Sequence, residues 1–232
     1  MITTLVDPEE LAAEEAVIEG DRYRHLFRAR RLPVGAALRL TDGHGRARWG
    51  KVAAVDKTSA RVALGDAAPG HEAARRVELL VSPFRRERAA WLVEKATELG
   101  VAAVRFLATE RAARDLRPKD FDRLRRVAAS ALEQSHRSRL PEITGVHDWQ
   151  ELSALAAFAD PKSRWLLDTT GASPPAVADA APAVLLIGSE GGWSDAERQH
   201  LADQPWHRVC FGERVLRVET AALAGAALLL CR

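Results

Sequence analysis

AVLLIGSEGGWSDAE, residues 183–197, reads as a buried strand that breaks into a glycine-rich loop and restarts as a helix. Ala183 to Ile187 form a continuous apolar run, and Gly188, Gly191 and Gly192 follow it. Ser194 with Glu197 three places on is the capping box of a new helix. Glycines at such a turn let a ligand approach the backbone, and the helix start behind them offers free N–H groups. An ordinary tight strand–helix turn has the same composition, so this loop alone does not name a ligand.

The spacing does exclude several. It is not the GxGxxG of a dinucleotide site, nor the GxxxxGK[ST] of a triphosphate loop. No GxSxG elbow surrounds Ser189, and the seven histidines lie singly with no metal-ligand spacing. No metal is expected.

Downstream, HRVCFGERVLRVETAALAGAALL (207–229) uses the same device. A short strand ends at Gly212, a loop crowded with Glu213, Arg214, Arg217 and Glu219 follows, and Thr220 opens a helix of small residues. As a surface ion pair, Arg217 and Glu219 would contribute little. Two strand–glycine–loop units in succession are more informative, because ligands of open α/β sheets bind beyond the carboxyl ends of the strands.

Working upstream, RWLLD (164–168) is a further short strand. VELLVSPF (77–84) is a buried-strand run. The spacing of Ala89, Leu92, Val93, Ala96 and Leu99 predicts a helix over 86–99 ended by Gly100, and VAAVRFLAT (101–109) is the next strand. Strand, helix, strand with the helix as crossover argues for parallel pairing. A second helix is expected over 121–135, with Leu124, Val127, Ala128, Ala131 and Leu132 as its buried stripe. The fold class is α/β.

Residues 35–65 read differently, as short strands hinged at Asp42-Gly43 and Gly45. GDAAPGHEAA (65–74) has linker composition, which places a β-rich unit over 1–72 and the α/β unit over 73–232. The net charge of +2 conceals a division between these parts. Residues 1–21 hold seven acids and no base, residues 22–61 hold eleven bases and two acids, and the chain beyond 139 is acidic. A basic front suits a polyanion such as RNA, whereas 29 Arg against 5 Lys is also what genomic base composition can produce. The longest apolar run, 221–231, is too short to span a bilayer, the acidic start is the reverse of a leader peptide, and Cys210 and Cys231 form no framework. A cytoplasmic protein without a membrane partner is expected.

With IGSEGGWS and FGERVLRVETA in place, EKATELGV (94–101), ALEQSHR (131–137) and HLFRARRLPVGAALRLTDGHG (25–45) complete a pattern. The chain resembles the RsmE-type ribosomal RNA uridine N3-methyltransferases of the SPOUT superfamily. The resemblance covers most of the chain, with four ordered motifs in the second unit. It implies a C-terminal SPOUT domain with a trefoil knot, a mostly parallel sheet with helices on both faces, behind a small PUA-like β-barrel that binds RNA. It also implies S-adenosyl-L-methionine as cofactor, a homodimer, and as substrate a uridine of 16S ribosomal RNA in the assembled small subunit. Two positions depart from the family: Ser189 stands where Pro is usual, and the first residues are acidic rather than basic.

The cofactor loops are then those after 164–168, 183–188 and 207–212. The expected cofactor residues are Leu167, Gly188, Glu190, Gly191, Gly192, Phe211, Gly212, Val215 and Leu216, whose apolar members and backbone suit an adenine. Uracil N3 must lose its proton before it can attack, and a guanidinium can hold the resulting charge. Arg217 is the first candidate and Arg111 the second. Glu190 and Glu219 are candidate bases, with solvent as the alternative acceptor. Arg28, Arg30, Arg31 and Arg137 are assigned to RNA phosphates, and Glu133 and Gln134 to structural support. The rival readings are a knotted methyltransferase acting elsewhere on RNA, a non-catalytic ribosome assembly factor, and, last, a nucleotide-dependent oxidoreductase.

Overall fold

Alternating side chains along 15–19 and 59–67 pair as antiparallel strands in the computed structural model, which describes residues 1–112, 116–153, 160, 163–175 and 180–231. The described chain divides into two compact units, Met1–Glu72 with Ala129–Leu140, and Ala73–Ala128 with Pro141–Arg232.

In the first unit five strands, β1 (Thr3–Leu5), β2 (Glu15–Glu19), β3 (Ala37–Thr41), β4 (Ala47–Val55) and β5 (Ser59–Ala67), form one sheet in the order β1-β3-β4-β5-β2. Its inner face presents Ala16, Ile18, Leu38, Leu40, Val52, Ala60 and Val62 to a core shared with Leu11 of helix α1 (Pro8–Ala12) and Tyr23 of α2 (Gly20–Tyr23). Leu26 and Phe27 join that core from a π-helical turn, Arg24–Ala29. The hairpin expected around Asp42-Gly43 and Gly45 is present. Asp42 Oδ1 accepts the N–H of His44 and of Arg46, and Gly43 and Gly45 take φ of 72° and 111°. Burial alone would raise the Asp42 carboxyl. The bonds from Arg46 and the two backbone N–H groups outweigh it and hold the group below the usual carboxylate range.

Three of the seven acids in the opening segment are paired inside this unit. Glu10 pairs with Arg22, Glu15 with Arg61 and Asp21 with Arg24. The turn after residue 135 also belongs here. Glu133 accepts from the Leu5 N–H at 2.7 Å, and Glu72 accepts from the N–H groups of Ser138 and Arg139 at 2.8 Å each. Arg137, expected on the RNA face, is instead buried, with its Nη2 2.8 Å from Glu72. The helix ends at His136, which takes φ of 61°, and the chain turns Arg137 inward onto that carboxylate.

His136 Nδ1 lies 2.8 Å from Thr3 Oγ1. Burial, then the N-terminal amine, Arg39 and His71, depress its pKa. The folded ring therefore stays neutral where the unfolded ring takes up a proton, and stability should fall as pH drops through about 6.5. Melting temperatures of wild type and His136→Gln at pH 7.5 and 5.5 check this. The wild type should lose more over that interval than the variant.

Among the described residues the second unit is built on six strands: β6 (Val77–Val81), β7 (Ala103–Leu107), β8 (Glu142–His147), β9 (Arg164–Ala172), β10 (Ala183–Ile187) and β11 (His207–Val209). All neighbours are parallel, in the order β11-β9-β10-β6-β7-β8. β6, β7 and β10 are buried at every position, as expected where a parallel sheet is covered on both faces. Helix α3 (Arg86–Leu99) has the expected extent, burying Ala89, Leu92, Val93 and Ala96 and ending at Gly100 with φ of 97°. α4 (Pro118–Ser135) starts three residues earlier than its apolar stripe suggests, and its last seven residues belong to the first unit. α5 (Trp149–Ser153), α6 (Asp195–Ala202) and α7 (Val218–Leu230) are the remaining helices among the described residues.

Strand order reverses between β6 and β10. β7 and β8 continue outward on one side, β9 and β11 on the other, so the loops leaving β9, β10 and β11 lie side by side next to the switch point. That is where an open α/β sheet places a ligand.

Candidate functional site

The small residues of the last helix have a packing reason. α7 lies against β6, β10 and α3, and a Cβ on Gly225 would sit 2.5 Å from Leu185 Cδ2. Ala222 and Ala226 are fully buried beside it. Close approach of this helix to the sheet brings its first turn to the carboxyl ends of the strands. Gly171 does the same for β11: a Cβ there would fall 2.6 Å from the Val209 backbone nitrogen.

The three loops enclose one cleft. β9 contributes Leu167, Asp168 and Thr169. The loop after β10 contributes Ile187, Gly188, Ser189, Glu190, Gly192 and Trp193, and α6 adds Arg198. The loop after β11 contributes Val209, Cys210, Phe211, Gly212 and Arg214 through Leu216, with Val218 and Ala221 behind it. All the expected cofactor residues except Gly191 thus line a single cavity. Gly191 lies beside it, where an added Cβ would be 3.1 Å from Arg111 Cβ.

The glycine loop is shaped by close contacts. Trp193 is buried under Gly188, where a Cβ would sit 2.7 Å from the indole. Gly192 takes φ of 72°, its N–H donates to the Ser189 carbonyl at 2.9 Å, and the Ser189 hydroxyl donates to the Gly192 carbonyl at 3.0 Å. Ser189, where the resembling family has Pro, thus braces the turn by hydrogen bonding. The expected capping box forms, with Ser194 N–H donating to Glu197 Oε2 and Glu197 N–H to Ser194 Oγ. Glu197 also accepts from the Glu110 N–H at 3.0 Å, which holds the residue before Arg111 against the start of α6.

Charge around the cleft is divided. Asp168, nearly buried, accepts from Thr170 N–H and Oγ1 and from Arg208 Nη1. Arg111 Nη1 donates to the Gly191 carbonyl at 3.2 Å. Arg217 is the N-cap of α7 and is exposed, and it makes no side-chain hydrogen bond or ion pair among the described residues. Glu190 and Glu219 share one cation: Arg88 Nη1 is 3.1 Å from Glu190, and its Nε is 3.6 Å from Glu219. Sequence reasoning missed Arg88, which lies on α3, far along the chain from both loops, and also Asp168, Arg198 and Arg214. Trp193, inside the quoted glycine loop, carried a readable signal.

In the first unit, Arg28, Arg30 and Arg31 are exposed on and just after the π-helical turn. The Arg28 guanidinium lies 5.6 Å above the Tyr23 ring and donates to the Lys57 carbonyl, and Arg31 takes φ of 54°. No helix is long and apolar enough to cross a membrane, and no cluster suited to a metal ion occurs among the described residues.

A family model described as an RNA methyltransferase domain matches residues 71–230, and one described as an RNA methyltransferase PUA domain matches 18–64. A ribosomal RNA small subunit methyltransferase E of Mycobacterium bovis is 30% identical over 225 residues, 89% of this chain and 82% of the relative. Its Bacillus subtilis counterpart is 28% identical over 145 residues, 57% of each chain. Among solved structures, a ribosomal RNA small subunit methyltransferase E from Neisseria gonorrhoeae bound to S-adenosyl methionine superposes with a TM-score of 0.86 at 24% identity. That match covers 98% of this chain and 95% of the other. The agreement in fold runs through both units, which the two family models match in order as a PUA domain and an RNA methyltransferase domain. With both family models matched in order and the Mycobacterium relative aligned along most of either sequence, the chain belongs to the ribosomal RNA small subunit methyltransferase E family.

Proposed function

We propose that the protein methylates N3 of a uridine in 16S ribosomal RNA, using S-adenosyl-L-methionine. The observation that carries this reading is the convergence of the loops after β9, β10 and β11 on one cleft, in a chain of this family. The cleft fits the cofactor. Leu167, Ile187, Phe211 and Leu216 give an apolar slot for an adenine with loop backbone beside it, and Asp168 offers a carboxylate to a cationic group. Gly212, at φ of 85°, leaves space where a Cβ would meet nothing within 4 Å. The bound cofactor supplies a methyl group on a sulfonium centre, electrophilic without further activation.

The protein's part is positioning and charge. Neutral uracil N3–H has no free lone pair, so the proton must leave, and the resulting charge spreads to both carbonyl oxygens. Arg217, unengaged at the start of α7, is assigned to that charge, and Arg111 supports it from the glycine loop. Glu190 and Glu219 are already committed to Arg88, which favours solvent as the proton acceptor. Arg28, Arg30 and Arg31 hold RNA phosphates and set register rather than read sequence. The assembled small subunit is the substrate, and the enzyme works in the cytoplasm as a homodimer. Trp91, a large apolar side chain exposed in the second unit, suits a face covered by a second copy.

Calorimetric titration with S-adenosylmethionine, followed by mapping of methylated nucleotides on small subunits treated with the protein, tests the reading. Saturable binding and a single N3-methyluridine are expected. A methyl group on another atom or another RNA would favour the related-methyltransferase reading. Absence of cofactor binding by folded protein would favour a non-catalytic assembly factor.

A further inference from the structure

Glu190, which lines the cleft, and Glu219, in the first turn of α7, share one guanidinium, and that guanidinium belongs to neither loop. Arg88 lies in the first turn of α3, where it is about a third exposed. Its Nη1 donates to Glu190 Oε1 at 3.1 Å, and its Nε is 3.6 Å from Glu219 Oε1. Glu190 sits in the glycine loop after β10. Glu219 sits in the first turn of α7, directly behind the loop after β11, and its carboxylate is 9% exposed. Among the described residues no hydrogen bond runs directly between the two loops, so Arg88 is the polar link that joins them.

Resting on the methyltransferase reading above, we infer that Arg88 is a positioning residue that ties the two cofactor loops together through Glu190 and Glu219, and that these carboxylates are struts rather than proton acceptors. A nearly buried carboxylate is costly without a cation, and the free N–H groups at the start of α7 offset only part of that cost. Removing Arg88 leaves Glu219 unpaired and Glu190 untethered, so the loops after β10 and β11 lose their common anchor. The cofactor meets a looser cleft, while the groups assigned to the uracil keep their chemistry. Lysine keeps the charge without the planar fork that reaches two acids at once.

The test compares wild type, Arg88→Ala, Arg88→Lys, Glu190→Gln, Glu219→Gln and the Arg88→Ala/Glu190→Gln double variant. Arg88→Ala should raise the Kd and KM for S-adenosylmethionine about tenfold or more, with a much smaller fall in kcat. Arg88→Lys should lie between it and wild type. The double variant should be no worse than Arg88→Ala alone, because both changes remove the same link. The pH dependence of kcat should be unchanged in Glu190→Gln and Glu219→Gln. Loss of kcat in either variant with cofactor affinity intact would overturn the inference, since a carboxylate would then act on the substrate. Hydrogen exchange gives a readout independent of activity. Amides of 189–193 and 212–220 should lose protection in Arg88→Ala, or in Arg88→Lys if the alanine variant does not fold, and unchanged protection would overturn the link. If the wild type bound no S-adenosylmethionine, the methyltransferase reading would fail, and exchange would still decide the role of Arg88.

Discussion

Arg217→Ala should lower kcat by about 10²–10³-fold at saturating cofactor, the loss seen when one donor to a developing oxyanion is removed. The cofactor Kd should stay within about twofold of wild type, because Arg217 is not among the residues lining the cleft. The size of the effect follows from where the side chain is and what it lacks. Arg217 caps α7 at the cleft's edge, is exposed, and has no partner among the described residues, so nothing within the protein competes for it. Arg217→Lys should recover only part of the rate, since an ammonium does not present two coplanar donors. Single-turnover methylation of small subunits, with calorimetry of the same variants, separates the two quantities. An unchanged kcat would remove Arg217 from the mechanism and leave Arg111 as the candidate.

Gly191→Arg should abolish measurable cofactor binding, a loss on the order of 100-fold or more. A Cβ at this position would lie 3.1 Å from Arg111 Cβ and 3.4 Å from the Arg111 carbonyl, so a long side chain has no room on that side. The new guanidinium would also meet Arg111 Nη1, which donates to the carbonyl of residue 191 itself. Steric crowding and like charge both push the substituted loop toward the cleft. Gly191→Ala should be far milder, because one methyl needs only a small shift of Arg111. Calorimetry with S-adenosylmethionine, alongside a melting curve to establish folding, checks the pair. Tight binding by a folded Gly191→Arg protein would place the cofactor away from this loop.

Glycine spacing had marked Gly191, whereas Arg217 became a candidate only through the family resemblance. The parallel core was legible because β10 is wholly apolar, β6 and β7 are apolar except for Glu78 and Arg105, which pair with each other at 3.0 Å, and α3 carries a stripe ended by glycine. The second helix was legible from its stripe, though not its first turn, where Asp120 accepts from the Arg117 N–H outside the apolar pattern. β8 escaped because only Ile143 and the flanking Pro141 are buried and Gly145 interrupts it, leaving little alternation to read. β1 escaped because three residues are too few, and its place is set by parallel pairing of Thr3–Leu5 with residues 39–41.

Local order along the chain is enough to specify the apolar strands, the Ser194–Glu197 helix start, the hairpin at Asp42-Gly43 and the glycine loops. Each depends on residues within a few positions of one another, whose torsional and hydrogen-bonding preferences act over one turn. Contacts between distant residues obey no such rule. Arg137 looked like one more cation in a basic run, yet it meets Glu72 sixty-five positions earlier and is buried by that pairing. Glu190 and Glu219 read as candidate bases, and only folding brings Arg88, 102 residues from one and 131 from the other, between them. Whether a charged side chain faces solvent, substrate or an opposite charge depends on which segments the sheet order places together, and that order is set by burial of the whole core rather than by any one stretch of chain.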